Sequence, residues 1–176
     1  MLVKVIKKHT NSKNCFVCGT ENKESLKVDF FEVDTKEMVA TYFSNESHIS
    51  YPGRIHGGIS AALLDETIGR AITCLEPNAF GVTIDFQIRY KKPVTVGEEI
   101  LIVGKITRNT SRIFEGEGYI LLKNNTVAAI AKARYMKMDV NKIADDGIMN
   151  EELVLVTKPD DPKSFDILED FSYESN

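Results

Sequence analysis

The chain of 176 residues holds only three cysteines, and no stretch stays apolar for the length a membrane-spanning helix requires. Its opening residues, Met1-Leu-Val-Lys-Val-Ile-Lys-Lys8, lack the apolar run of a secretion signal. Three cysteines without such a signal argue against a disulfide framework and predict a cytoplasmic protein. Internal repeats are missing, as is any glycine-rich phosphate loop of the P-loop or dinucleotide-binding kind. The lysines and arginines form no stripe interleaved with aromatics, and no helix-turn-helix segment is present. Neither nucleic acid nor a membrane is therefore an expected partner. Cys15 and Cys18 make a single Cys-x-x-Cys pair, to which His9 and Cys74 add possible ligands. A closed zinc site takes two paired motifs, and a redox dithiol is expected beside a βαβ unit that is missing here. No metal and no cofactor is expected; packed free thiols are the reading.

What the chain does have is Arg54-Ile-His-Gly-Gly-Ile-Ser-Ala-Ala-Leu-Leu-Asp-Glu66. This reads as a helix start with bare backbone donors, followed two turns later by a carboxylate inside an apolar run. A helix N-terminus carries unpaired N–H groups and partial positive charge, so it accommodates an anion or a developing oxyanion. Gly57 and Gly58 remove the side chains that would keep a ligand off that backbone. Stepping by three and four, Gly58, Ala61, Ala62, Asp65 and Gly69 share one face, and that face is small enough for close approach. Glu66 points elsewhere and precedes Arg70 by four residues, the spacing of an exposed intrahelical ion pair. Asp65 is the candidate base or nucleophile; Glu66 is structural.

Around this helix lie strands. Leu26–Val33 and Glu37–Phe43 read as a hairpin about Asp34-Thr35-Lys36. From Val82 to Tyr90 apolar and polar residues alternate, which predicts Val82, Ile84, Phe86, Ile88 and Tyr90 on one face and Thr83, Asp85, Gln87 and Arg89 on the other. Pro93 ends this strand. Three β-rich runs follow, Glu99–Thr107, Arg112–Leu122 and Thr126–Met138.

This order, with His56-Gly57-Gly58, Leu64-Asp65-Glu66, Gly81-Val82-Thr83 and Tyr90 with Pro93, resembles the hotdog-fold acyl-CoA thioesterases of the phenylacetate-pathway and 4-hydroxybenzoyl-CoA type. The opening Asn14-Cys15-Phe16-Val17-Cys18-Gly19 is similar to the start of one branch of them. The resemblance covers roughly residues 14 to 138. It implies an α+β fold in which an antiparallel sheet of five to six strands wraps a long central helix. It implies hydrolysis of an acyl-CoA to free acid and coenzyme A, with coenzyme A as part of the substrate. It assigns Asp65 as base or nucleophile, the Gly57 N–H as the group polarising the carbonyl, His56 as a positioning residue, and Thr83 as a hydrogen-bond partner of the carboxylate or water. Many relatives place Asn or Gln six residues before the His; here that position is Ser50, with His48 nearby. A non-catalytic acyl-CoA binding or sensing module is the alternative. A hydratase of the same fold is disfavoured, because its helical Glu would fall at Ala62.

Gly57 and Asp65 are eight residues apart, about 12 Å along one helix, too far to serve one carbonyl. A two-fold homodimer, possibly paired into a tetramer, brings the helix start of one subunit to Asp65 of the other. Residues 139–176 hold eleven acidic and three basic residues, so residues 1–138 carry +4 of a chain whose net charge is −4. The sequence therefore divides into a domain over 1–138 and an acidic extension over 139–176, partly disordered. Leu153–Thr157 as a short strand, or Phe165–Phe171 as a helical turn, would dock that extension, folded over the site or competing with an anionic ligand. The basic balance of the domain suits coenzyme A phosphates, with Lys91, Lys92, Arg108 and Arg112 at strand ends, and Gly58 lining the substrate path.

Overall fold

A computed structural model describes residues 1–138 and 151–174. In chain order the strands are β1 (Leu2–Lys8), β2 (Asn11–Ser12), β3 (Asp29–Val33), β4 (Met38–Phe43), β5 (Ile49–Tyr51) and β6 (Arg54–Ile55). The helix α1 (Gly57–Arg70) follows, then β7 (Phe80–Tyr90), β8 (Glu99–Asn109), β9 (Ile113–Leu121), β10 (Val127–Met138), β11 (Leu153–Val154) and β12 (Ser164–Asp166). The main sheet is antiparallel throughout and runs β12-β1-β3-β4-β8-β9-β10-β7. It wraps α1 in the hotdog arrangement. The expected five to six strands become eight, because β1 and β12 extend the sheet beyond β3.

Each face of the sheet has its own core. Phe30, Met38, Ile102, Ile120, Ala131 and their neighbours meet Leu63, Leu64 and Ile68 of α1. Glycines floor the seat of the helix on β8 and β9. Gly104 lies opposite Gly118, and a Cβ on Gly104 would stand 2.9 Å from the Thr67 carbonyl and 3.0 Å from the Ile68 backbone. A side chain there would push the helix off the sheet, a strain of roughly 1–3 kcal/mol.

The alternate residues Phe31, Val39, Val103, Tyr119, Leu121 and Ile130 face the other way and meet Phe165, Ile167, Phe171 and Tyr173 of the C-terminal segment. Adjacent apolar residues, Phe30-Phe31 in β3 and Met38-Val39-Ala40 in β4, follow from this double burial. The segment 164–174 thus covers the sheet face opposite α1. It enters as a strand, β12, where a helical turn was expected, because β1 offers it an unpaired edge. Its upstream part adds β11 to β2, within the strand expected at Leu153–Thr157. Residues 139–150, the rest of the expected extension, lie outside the described residues.

The charge split acquires a structural explanation here. Lys8, nearly buried, pairs with Asp161 at 2.5 Å and Asp29 at 3.5 Å, and Lys158 pairs with Asp29 at 2.5 Å. Lys132 meets Glu174 at 2.6 Å, and the Arg89 guanidinium stacks over Tyr173 at 4.3 Å. Part of the positive balance of residues 1–138 therefore holds the acidic segment. Removing residues 151–176 should expose the Phe31–Tyr119–Ile130 surface. Each of the four side chains withdrawn from it carries roughly 1.5–3 kcal/mol of burial. The expected result is a large drop in melting temperature with binding of an apolar dye; an unchanged melting curve would show the cover to be dispensable. Among the described residues no helix is long and apolar enough to cross a membrane.

Candidate active site

The helix start is built by His56. It is the N-cap of α1, in extended conformation (φ −62°, ψ 137°), and its Nδ1 accepts the Gly58 N–H at 2.8 Å. That bond fixes the tautomer, with Nδ1 as acceptor. Gly58 is accordingly not a free donor, since its N–H belongs to the cap, while its backbone stays exposed in an open cavity with His48 and His56. The Gly57 N–H, one step earlier, has no partner among the described residues. Its carbonyl accepts the Tyr90 hydroxyl at 2.8 Å, so the end of β7 holds the first helical residue in place. His48 steadies the preceding loop. Its carbonyl accepts the His56 N–H at 2.9 Å, and its Nδ1 meets the Tyr42 hydroxyl at 2.8 Å. Ser50, Lys91 and Lys92 line an open cavity of about 350 Å³ beside Gly57 and Tyr90. Arg108 and Arg112 lie at the opposite end of the strands, and Arg108 is engaged by Glu115 at 3.4 Å.

Two turns along α1, Asp65 is half-buried. Thr83 donates to its Oδ1 at 2.9 Å, with Oδ2 at 3.2 Å, and the Tyr135 hydroxyl reaches Oδ1 at 3.1 Å. The same hydroxyl lies 2.8 Å from the Asp65 carbonyl. Oδ1 is therefore the anchored oxygen and Oδ2 the freer one. Burial pushes the Asp65 carboxyl above its ordinary value, while the hydrogen bonds from Thr83 and Tyr135 pull it back. A carbon-13 carboxyl titration should place its pKa above that of an ordinary aspartate. Thr83→Val should move it higher still, because a bond to the charged form is lost; a downward move would refute this assignment of causes.

Thr83 reaches Asp65 because of a β-bulge. The β10–β7 register passes from Arg134 opposite Asp85 to Tyr135 opposite Thr83, leaving Ile84 as the extra residue. Phe86 and Ile88 pack toward α1, and beyond the bulge Thr83 does so too. The strict alternation that put Thr83 with Asp85 and Gln87 on the far face is therefore corrected. Nor is one face of β7 buried: it is the sheet's last strand, with Val82, Ile84 and Tyr90 44%, 48% and 55% exposed.

Tyr135 was not among the expected site residues. A signal for it exists in β10, where Ala129, Ala131 and Ala133 form a small-residue face ending in a buried Tyr. Its ring stacks on Phe114 with centroids 4.8 Å apart and packs against Gly69. The small-residue stripe of α1 makes this approach possible.

Asp65, Thr83, Tyr135 and Gly69 line a cavity of about 440 Å³ whose outer wall includes Cys15 and Leu155. Glu66 pairs with Arg70 at 2.8 Å as expected, but the pair is not an exposed one. Arg70 also donates to the Thr10 carbonyl and to Cys18 Sγ, and it stacks over Phe30 at 4.4 Å. Cys15, Cys18 and Glu66 bring three ligand-type atoms within 4.8 Å of one another. Arg70 donates to two of the three, so a guanidinium already compensates the charge of that cluster. His9 stands apart from it, bonded to Glu32 at 3.1 Å.

A thioesterase superfamily model matches residues 52–129. Acyl-coenzyme A thioesterase 13 of Mus musculus is 30% identical over 111 residues, spanning 63% of this chain and 79% of that protein. Its Homo sapiens namesake is 32% identical over 92 residues, 52% of this chain and 65% of its own length. Zebrafish thioesterase superfamily member 2 superposes with a TM-score of 0.61 at 24% identity, covering 68% of this chain and 88% of that one. A hypothetical thioesterase protein of Streptococcus pneumoniae, solved with coenzyme A, gives 0.55 at 21% identity, covering 58% and 79%.

Proposed function

The chain belongs to the thioesterase superfamily, and from that premise we propose that it hydrolyses acyl-CoA thioesters at two equivalent sites of a two-fold dimer. The observation that carries the reading is the pairing of a free Gly57 N–H at a helix start with an Asp65 carboxylate oriented by two hydroxyls. The Gly57 N–H donates to the developing oxyanion. Asp65 takes a proton from water as it adds to the carbonyl carbon, or adds to that carbon itself through Oδ2. Collapse of the adduct expels the coenzyme A thiolate. In the second route, water then cleaves the mixed anhydride. In single turnover in oxygen-18 water, label in the Asp65 carboxylate marks an anhydride opened at the Asp65 carbon and excludes direct water attack as the only route.

The exposed edge of β7 supports the dimer. An eleven-residue strand, paired among the described residues only with β10 and carrying exposed Val82 and Ile84, is suited to self-pairing. In an antiparallel pairing centred on Phe86 and Gln87, Thr83 of one copy lies opposite Tyr90 of the partner subunit. Thr83 bonds Asp65 and Tyr90 bonds Gly57, so this register carries the partner's helix start toward Asp65. Ile84→Lys should give a folded monomer by sedimentation, with turnover lost; an active monomer would sink the shared site. Lys91 and Lys92, beside Gly57, are proposed to meet the coenzyme A phosphates.

The test of the activity is release of free thiol from a panel of acyl-CoAs, with wild type and Asp65→Ala side by side. Turnover that collapses in the variant supports the reading. Binding without turnover by wild type would favour a carrier or sensor instead.

A further inference from the structure

The loop 12–22 is folded around two sulfur atoms that the thioester chemistry does not use. Cys15 Sγ accepts the Val17 and Cys18 backbone N–H groups at 3.3 and 3.5 Å. The Gly19 N–H closes the turn on the Cys15 carbonyl at 2.8 Å. Only glycine fits there, since a Cβ would stand 2.2 Å from that oxygen. Buried Asn11 pins the loop by donating to the Cys18 and Val28 carbonyls at 3.1 and 2.9 Å. Lys27 Nζ gathers the carbonyls of Gly19, Thr20 and Asn22 at 2.7, 3.2 and 2.8 Å. From the other side Glu152 ties down Asn14 and Ser12.

This scaffold aims the sulfurs at each other. Cys18 is buried, with its Sγ accepting the Ser12 N–H at 3.3 Å and the Arg70 guanidinium at 3.2 Å. Cys15 is half-buried and reaches the wall of the Asp65 cavity. The Cys18 thiol and the backbone donors favour a thiolate at Cys15 against the opposing effects of burial and Glu66, while the Arg70 guanidinium donates to Cys18. The Cys18 hydrogen bond pulls the Cys15 thiol well below the ordinary thiol range. Cys74 provides a contrast within the chain, since burial pushes its thiol up to about 12.

We propose that Cys15 and Cys18 form a reactive dithiol at the cavity wall, which hydroperoxides oxidise to a disulfide. The Cys15 thiolate attacks the peroxide oxygen, the O–O bond breaks, and an alkoxide or hydroxide leaves to take up a proton. Sulfur is oxidised to the sulfenic acid. Cys18 sulfur then attacks Cys15 sulfur, forming the S–S bond and releasing the sulfenic oxygen with the Cys18 proton as water. Two thiols supply both electrons, and one hydroperoxide becomes an alcohol and water, or two waters when it is hydrogen peroxide. A bond of the usual disulfide length draws the Cys15 sulfur off the cavity wall and removes a negative charge beside Glu66. The proposal stands independently of the thioesterase reading, because its readout is the chemistry of the thiols.

The test treats the reduced full chain with hydrogen peroxide or cumene hydroperoxide, then alkylates it and maps peptides by mass. The expected product has lost two hydrogens, placed between Cys15 and Cys18, with Cys74 still alkylatable and the dithiol restored by reductant. Cys18→Ser should stop at a Cys15 sulfenic acid, trapped as its dimedone adduct, and Cys15→Ser should leave Cys18 unoxidised at the same dose. The wild-type map decides the matter even where Cys18→Ser folds poorly. Three alkylatable thiols after treatment, or Cys74 oxidised as fast as Cys15, would overturn the proposal. So would a pair that reacts only after a chelator has withdrawn a stoichiometric metal.

Discussion

Asp65→Asn should lower kcat for acyl-CoA hydrolysis by about 10²–10⁴-fold, the range for removing a positioned acid–base group, with KM little changed. Asn keeps the size of the side chain and an oxygen able to accept from Thr83 and Tyr135. The second anchor survives too, since the Tyr135 hydroxyl also sits 2.8 Å from the Asp65 backbone carbonyl. Melting temperature should therefore stay near wild type while turnover collapses. Only the basic lone pair is removed. Steady-state kinetics with thiol detection, beside a thermal melt, reads both quantities. Full activity in a folded Asn variant would eliminate Asp65 from the chemistry.

Gly57→Pro should cost about 10²–10³-fold in kcat, the range for losing one oxyanion donor. Proline removes the N–H and, like alanine, places a Cβ beside the Tyr90 ring. Gly57 is the first residue of α1, where the N–H has no intrahelical partner and the fixed φ of proline suits the helix. The residue before it, His56, already has the extended backbone that proline demands of its predecessor. Ala is the control. It restores the N–H, and its Cβ would meet the Tyr90 ring tip at 3.3 Å, a contact a flexible side chain can relax. Activity lost in Pro and kept in Ala isolates the backbone donor; equal loss in both would assign the effect to crowding at Tyr90.

The site could be read from sequence as far as its chemistry follows local rules. Gly57 and Asp65 stand out because helix capping and helical periodicity are short-range. Thr83 was named, but its direction was misjudged, because a bulge at Ile84 cannot be seen in an alternating pattern. Tyr135 lies seventy residues from Asp65 along the chain and meets it only once β10 has paired with β7. Period-two alternation in β7 suggests a half-buried strand; among the described residues that strand is an edge, where Phe86 and Ile88 pack against the core while Val82, Ile84 and Tyr90 stay exposed. The acidic composition of the C-terminal segment suggested an appendage. Its four buried side chains, Phe165, Ile167, Phe171 and Tyr173, outweigh that charge, and lysines and Arg89 on the sheet's outer face meet it. Composition averages over a segment, whereas docking depends on which few residues face inward.

The central claim is that each site is shared by two subunits, and mixing two inactive variants tests it most directly. Asp65→Asn and Gly57→Pro, unfolded together and refolded, should recover about a quarter of wild-type turnover, because half of randomly reassorted dimers are mixed and each holds one intact site of two. Turnover no higher than that of the separate variants, with mixed dimers present by native mass, would place both groups in one chain's own site and contradict the account.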